Sequence, residues 1–325
     1  MTAQQMRSPT PEGVARAAAK IAELLPRTPL LETEIHGHPV WIKAESLQPI
    51  GAFKIRGAWH RLSDLTDEER VRGVVGVSSG NHAQGVAWAA RKLGIAAAIV
   101  MPVDAPAVKL AATRALGAEV VLYDRPGGED RDALAQRLCA ERGATLVHAY
   151  ADPWVIEGQG SAGTEIIAQM LERGYGPPTR IIACCGGGGL AAGLALACPD
   201  AEIIPVEPEG WDDVCRSLAS GEIQRVAAGA PPTECDSLQT PATFPINFAI
   251  LKQRCAYGVA VTPAEVSAAQ RFAFSNLHLV VEPGGAAALA AALAGKVPVD
   301  GRTAILVTGS NTDPASFATV LNSNA

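Results

Sequence analysis

Arg180-Ile181-Ile182-Ala183-Cys184-Cys185-Gly186-Gly187-Gly188-Gly189-Leu190 sets an apolar run against four consecutive glycines. Residues 180–184 have the composition of a buried strand, residues 189–197 that of a helix, and the glycines turn the chain between them. Strand, tight loop, helix is half of a βαβ unit, and the same alternation extends to both sides. Residues 73–77 read as a strand and 83–93 as a helix stopped by Gly94; 95–101 form a second strand closed by Pro102, and 109–116 a helix stopped by Gly117. Strands at 119–123 and 145–148 enclose a helix at 130–141, and a helix at 160–172 precedes the glycine loop. After the loop come a strand at 202–206, a helix opened by the capping pattern Thr262-Pro263-Ala264-Glu265, a helix at 283–293 and a last strand at 303–307. This order predicts an α/β protein with mainly parallel sheets. Residues 227–245, rich in Pro and Thr, are expected to form a long loop over the surface or a cleft.

The chain of 325 residues suggests about two domains at roughly 150 residues each. With 48% hydrophobic and 18% charged residues it has ordinary globular composition, which argues against general disorder. A net charge of −6 argues against nucleic-acid or polybasic membrane binding. No apolar stretch approaches the roughly 20 residues that span a bilayer, and residues 1–16 lack the pattern of a secretory signal. The seven cysteines follow no regular spacing, and Cys184 and Cys185 are adjacent, which excludes a CxxC metal knuckle. Reduced, mostly buried thiols in a cytoplasmic protein are expected.

Three segments carry candidate chemistry. Successive glycines let backbone N–H groups converge at a helix start, which favours an anion and above all a phosphate over a merely flexible turn. No Lys follows the glycines, so this is not the loop of a triphosphate hydrolase, and no clean dinucleotide unit surrounds it. In Gly51-Ala52-Phe53-Lys54-Ile55-Arg56-Gly57-Ala58, Lys54 stands beside apolar residues at a helix start, where its pKa would fall and its amine become a Schiff-base nucleophile; most lysines in such a setting reach solvent instead. Ser78-Ser79-Gly80-Asn81-His82 lies at a strand–helix junction, where ligands of parallel sheets bind. Helix capping accounts equally well for Ser79 or Asn81, and His82, with no carboxylate nearby in sequence, reads as structural.

Taken together and in order, Phe53-Lys54-Ile55-Arg56-Gly57, Ser78-Ser79-Gly80-Asn81-His82, the tetraglycine loop, Glu282-Pro283-Gly284-Gly285-Ala286 and Thr308-Gly309-Ser310-Asn311 resemble the pyridoxal-phosphate-dependent serine/threonine dehydratases, close relatives of serine racemase. The resemblance runs from about Pro29 to Asp313. It implies the fold type II, tryptophan-synthase-β architecture: two α/β domains with the cofactor in the cleft between them. The expected domains are a discontinuous large cofactor-binding one, residues 1–65 with 146–325, and a small one, residues 70–145; composition alone marks no boundary.

The resemblance further implies that Lys54 carries pyridoxal 5'-phosphate as a Schiff base and, once released, takes the substrate Cα proton. Phe53 would pack on the cofactor ring, Asn81 bond its hydroxyl, and Gly186, Gly187, Gly188, Gly189 and Leu190 hold its phosphate. Thr308 would meet the ring nitrogen, a neutral partner that favours β-elimination, and Glu282 completes the cofactor-binding set. Ser78, Ser79, Gly80, Asn81 and His82 would hold the substrate carboxylate, and Ser79 is also the position that serves the racemase as acid on the opposite ring face. Glu207, the Trp211 carbonyl and Asp213 resemble a site for Mg²⁺ or Ca²⁺.

Cys235-Asp236-Ser237 replaces the common Ala-Asp-Gly, which puts the best substrate in question. With the sequence ending at Ala325, the regulatory domain of biosynthetic threonine dehydratases is not expected. The expected activity is removal of water from a small β-hydroxy amino acid, threonine or serine, giving a 2-oxo acid and ammonia. A racemase and a dehydratase for hydroxyaspartate or phenylserine are the alternatives, and a homodimer is expected.

Overall fold

The computed structural model describes residues 7–78, 80–105, 107–125 and 127–323. Its strands in chain order are β1 (Leu30–Ile35), β2 (His38–Ala44), β3 (Val74–Val77), β4 (Ala97–Pro102), β5 (Glu119–Tyr123), β6 (Thr145–Val147), β7 (Arg180–Cys184), β8 (Glu202–Pro208), β9 (Val259–Val261) and β10 (Thr303–Val307). They form a six-stranded sheet, β1-β2-β10-β7-β8-β9, and a four-stranded sheet, β5-β4-β3-β6. Every pairing is parallel except the β1–β2 hairpin, whose two-residue turn, His36-Gly37, has positive φ at both positions.

Burial explains this layout. All of β10 is buried, as is most of β7, because helices cover both faces of the six-stranded sheet. The Ala-rich helix Pro283–Leu293 is buried along nearly its whole length on one face, and Gly189–Ala197 packs in the core on the other. The expected capping pattern at Thr262 is present: Thr262 caps Pro263–Leu277, and Glu265 returns the bond.

The helix expected at 160–172 begins earlier and spans Pro153–Glu172. Asp152 accepts from the Trp154 and Val155 amides and Pro153 opens the first turn. Its glycines serve close packing rather than termination: a Cβ on Gly158 would stand 2.5 Å from Gly57 Cα in the helix Lys54–Ser63. The long loop holds a short 3₁₀ turn, Asp236–Leu238, and ends where Pro245–Arg254 becomes helical. Strand β6 pairs with β3, so a boundary drawn between residues 145 and 146 falls inside a strand of the four-stranded sheet.

Candidate active site

A cleft partly open to solvent lies where the carboxyl ends of both sets of parallel strands meet. That is where parallel α/β sheets bind ligands. Most of the residues singled out from sequence line it: Phe53, Lys54, Ser78, Gly80, Asn81, His82, the four glycines, Leu190, Glu282 and Thr308. Ser79 lies outside the described residues. Glu207, Trp211 and Asp213 lie apart from the cleft lining.

Lys54 opens the helix Lys54–Ser63, and its Nζ donates to the Ala149 carbonyl at 2.8 Å. Burial lowers its pKa from 10.5 to about 8, so a substantial share of the amine is neutral near physiological pH. Phe53 packs beside it, with the ammonium 5.1 Å from the ring centre, and the Phe53 amide donates to Thr308 O at 3.1 Å. Thr308 is thereby tied to the strand end beside the lysine.

The glycine loop has the form of an anion cradle. Among the described residues, the amides of Gly186, Gly187, Gly188, Gly189 and Leu190 find no acceptor in the protein. Side chains have no room there. A Cβ on Gly187 would fall onto the Tyr150 ring, and one on Gly186 would stand 2.8 Å from Thr240 Oγ1. Gly188, the N-cap, has φ of +86°, which only glycine adopts without strain. Converging donors at a helix N-terminus, with a depressed lysine in the same cleft, fit a phosphate-bearing aldehyde.

Asn81 sits in a fixed network. Its Nδ2 donates to Glu282 Oε1 and its Oδ1 accepts from Asn311 Nδ2 at 2.9 Å. Burial pushes the Glu282 carboxyl up to about 7, against the pull of Lys109. Lys109, Asp236, His148 and Tyr150 also line the cleft and were not singled out as site residues from sequence. Lys109, the His148–Tyr150 loop and Asp236 come from three separate segments with no shared motif.

Both cleft histidines are neutral. His82 Nε2 donates to the Val147 carbonyl at 3.0 Å, and burial lowers its pKa to about 3; His148 is lowered to about 4 by burial and accepts at Nδ1 from the Tyr150 and Ala151 amides. They offer fixed hydrogen bonds rather than charge.

Glu207 and Asp213 are fully buried, not a solvated acidic loop. Glu207 accepts from the Val214 and Cys215 amides at 3.1 and 2.7 Å, and Asp213 Oδ2 from the Thr243 amide at 2.9 Å. Asp213 Oδ1 is buried without a partner among the described residues. Burial pushes Glu207 up to about 8, with the Asp213 charge adding to it, and Asp213 up to about 7. The unpartnered Asp213 Oδ1 is a hard oxygen of the kind that suits a divalent cation. Among the described residues no cluster of three His, Cys, Asp or Glu side chains has metal-binding geometry; the expected set contains only these two carboxylates and a main-chain carbonyl. Among the described residues, no helix is long and apolar enough to cross a membrane.

A family model described as "Pyridoxal-phosphate dependent enzyme" matches residues 21–309. An L-threo-3-hydroxyaspartate ammonia-lyase of Pseudomonas sp is 40% identical over 318 residues, 95% of this chain and 97% of that protein. A serine racemase of Schizosaccharomyces pombe is 36% identical over 323 residues, 97% of this chain and 98% of that one. Among solved structures, a T.th. threonine deaminase aligns with a TM-score of 0.85 at 41% identity, covering 94% of this chain and 99% of that chain.

Proposed function

Because the chain belongs to the pyridoxal-phosphate-dependent enzymes of fold type II, we propose that it is a lyase acting on a small β-hydroxy amino acid, releasing a 2-oxo acid and ammonia. The observation that carries this reading is the pairing, in one cleft, of a half-buried Lys54 of lowered pKa with an unsatisfied glycine cradle. When bound, pyridoxal phosphate supplies the electron sink that makes the substrate Cα–H acidic.

The protein's own groups do the rest. Gly186, Gly187, Gly188, Gly189 and Leu190 hold the phosphate. Thr308 would offer a neutral hydroxyl to the ring nitrogen, and Phe53, Asn81 and Glu282 would hold the ring. Ser78, Gly80, Asn81 and His82 hold the substrate carboxylate. Lys54 Nζ, in its neutral form, takes the Cα proton. The β-hydroxyl leaves, and the water lost is regained on hydrolysis, so the net products are the oxo acid and ammonia. Incubating the holoenzyme with a panel of 3-hydroxy amino acids and measuring 2-oxo acid tests this; absence of release from every member refutes it.

A second reading, amino-acid racemisation, is supported by the similarity to the yeast serine racemase and would use Ser79 on the opposite face. Inversion of serine faster than oxo-acid release favours it.

Glu207, the Trp211 carbonyl and Asp213 are proposed to bind Mg²⁺ or Ca²⁺ in a structural role. Thr243 supports the coupling to catalysis: its amide donates to Asp213 and its hydroxyl to the Gly187 carbonyl at 3.1 Å. The proposed small domain is the four-stranded unit, ending after Val147 rather than at residue 145. A cytoplasmic homodimer completes the proposal.

A further inference from the structure

Besides Lys54, the cleft holds the amine of Lys109. Lys109 and Thr113, one turn apart, form the buried face of the helix Ala107–Ala115. Its Nζ donates to Asp236 Oδ2 at 2.6 Å and stands 3.6 Å from Glu282 Oε2. Although burial opposes it, the Glu282 and Asp236 charges raise the Lys109 pKa, so the ammonium persists. An ammonium has three donors, and these two partners leave one unspent.

The placement of Gly80 is telling. A Cβ there would stand 2.9 Å from Lys109 Cδ and 3.3 Å from its Nζ. Glycine thus lets the ammonium lie against the N-cap of the helix Asn81–Leu93. Among the described residues, the first helical amides, of Asn81 and His82, find no acceptor. Lys109 and Asp236 compensate each other, and Glu282, pushed up to about 7, carries only part of its charge near neutrality. The remaining donors at this spot all favour an anion.

We propose that Lys109 is a substrate-binding residue whose ammonium pairs with the α-carboxylate, alongside the Asn81 and His82 amides, with Asp236 and Glu282 as its anchors. This rests on the lyase reading above. Glycine and glycinamide have no β leaving group, so their binding to the holoenzyme can be measured by the change in cofactor absorbance without turnover. The wild type should prefer glycine, and Lys109→Met should reduce that preference about tenfold, the worth of a charged hydrogen bond. Lys109→Arg should retain it. A purely structural role weakens both ligands alike, so an unchanged preference in Lys109→Met overturns the proposal.

If Lys109→Met does not fold, the wild type labelled with ¹⁵N-lysine serves instead. The ammonium resonance absent from Lys109→Arg should move with glycine and not with glycinamide; equal movement overturns the proposal. Turnover of a β-hydroxy amino acid together with an unchanged preference refutes only the role of Lys109. No turnover of any panel member refutes the lyase reading itself.

Discussion

Replacing Arg56 with Met tests the buried charge network beneath the reactive lysine. Arg56 lies two residues from Lys54 and is fully buried. Its Nε and Nη2 donate to Glu45 at 2.7 Å each, Nη1 and Nη2 to Glu165 at 2.8 Å each, and Nη1 to Ser161 at 3.1 Å. Burial alone would raise the Glu45 carboxyl, but Arg56, helped by Lys43 and Thr28, holds it at about 2 instead of 4.5. At about 1.4 kcal/mol per pH unit, that difference corresponds to about 3 kcal/mol. Breaking a buried pair by removing one partner costs about 3–5 kcal/mol, so the two magnitudes agree. For 325 residues the unfolding entropy is about 0.7 kcal/mol/K, which converts the loss into a Tm lower by about 4–7 °C at pH 7.

The pH dependence has a definite sign. In the wild type the folded pKa of Glu45 lies below its unfolded value. Its contribution is therefore complete above about 4.5 and fades as pH falls toward 2. In Arg56→Met, Glu45 stays buried without the guanidinium and titrates above its unfolded value, so the variant loses stability as pH rises. The gap between the two proteins should narrow by about 2 kcal/mol between pH 7 and pH 3. Urea titrations at several pH values read this directly. A gap under about 1 kcal/mol at pH 7, or one independent of pH, would refute the reasoning.

Lys54→Ala should abolish 2-oxo acid release while still binding the phosphate-bearing cofactor, now removable by dialysis; normal turnover by the variant counts against Lys54. The rate at which the apoprotein takes up pyridoxal phosphate should rise with pH through about 8, the value at which Lys54 loses its proton, and not near 10.5. Gly187→Ala pushes a methyl into the Tyr150 ring and should weaken pyridoxal phosphate binding about tenfold or more, roughly 1.4 kcal/mol, while pyridoxal without phosphate binds as before. Chelation should lower both Tm and turnover, Mg²⁺ or Ca²⁺ should restore them, and Glu207→Ala with Asp213→Ala should remove the response; a wild type indifferent to chelator leaves no cation at Asp213.

The parallel sheets were legible because their strands are buried on both faces and so form unbroken apolar runs, as in Arg180–Cys184 and Thr303–Val307. The β1–β2 hairpin was not legible. Leu30–Ile35 mixes charged residues into an outer strand, and its turn places His36, not Asn or Asp, at positive φ. Gly158 concealed the first two turns of Pro153–Glu172, since close helix packing and helix breaking look alike in sequence. Lys54 and the glycine loop stood out because each is contiguous. Lys109 meets Asp236 and the His148–Tyr150 loop only through tertiary folding, and a lone lysine in Ala107–Ala115 looks like any surface lysine. Arg56 and Glu45 were invisible for the opposite reason: charged residues are expected outside, and their burial depends on partners far away in the chain.

Strand β10 carries a consequence for how the chain comes to be folded at all. It is the last strand to be synthesised, yet it lies between β2 and β7, pairing Ala304 with Trp41 and with Ile181. Until it emerges, β2 and β7 have no common partner, and two apolar strand edges stay open on the growing chain. The four-stranded sheet, by contrast, is complete once Val147 has left the ribosome. Synthesis therefore passes through a stage in which one sheet is finished and the other is split, with contacts of very long sequence separation still to form. That stage is where aggregation and chaperone capture would act, and ribosome-stalled chains ending before residue 303 would expose it to protease.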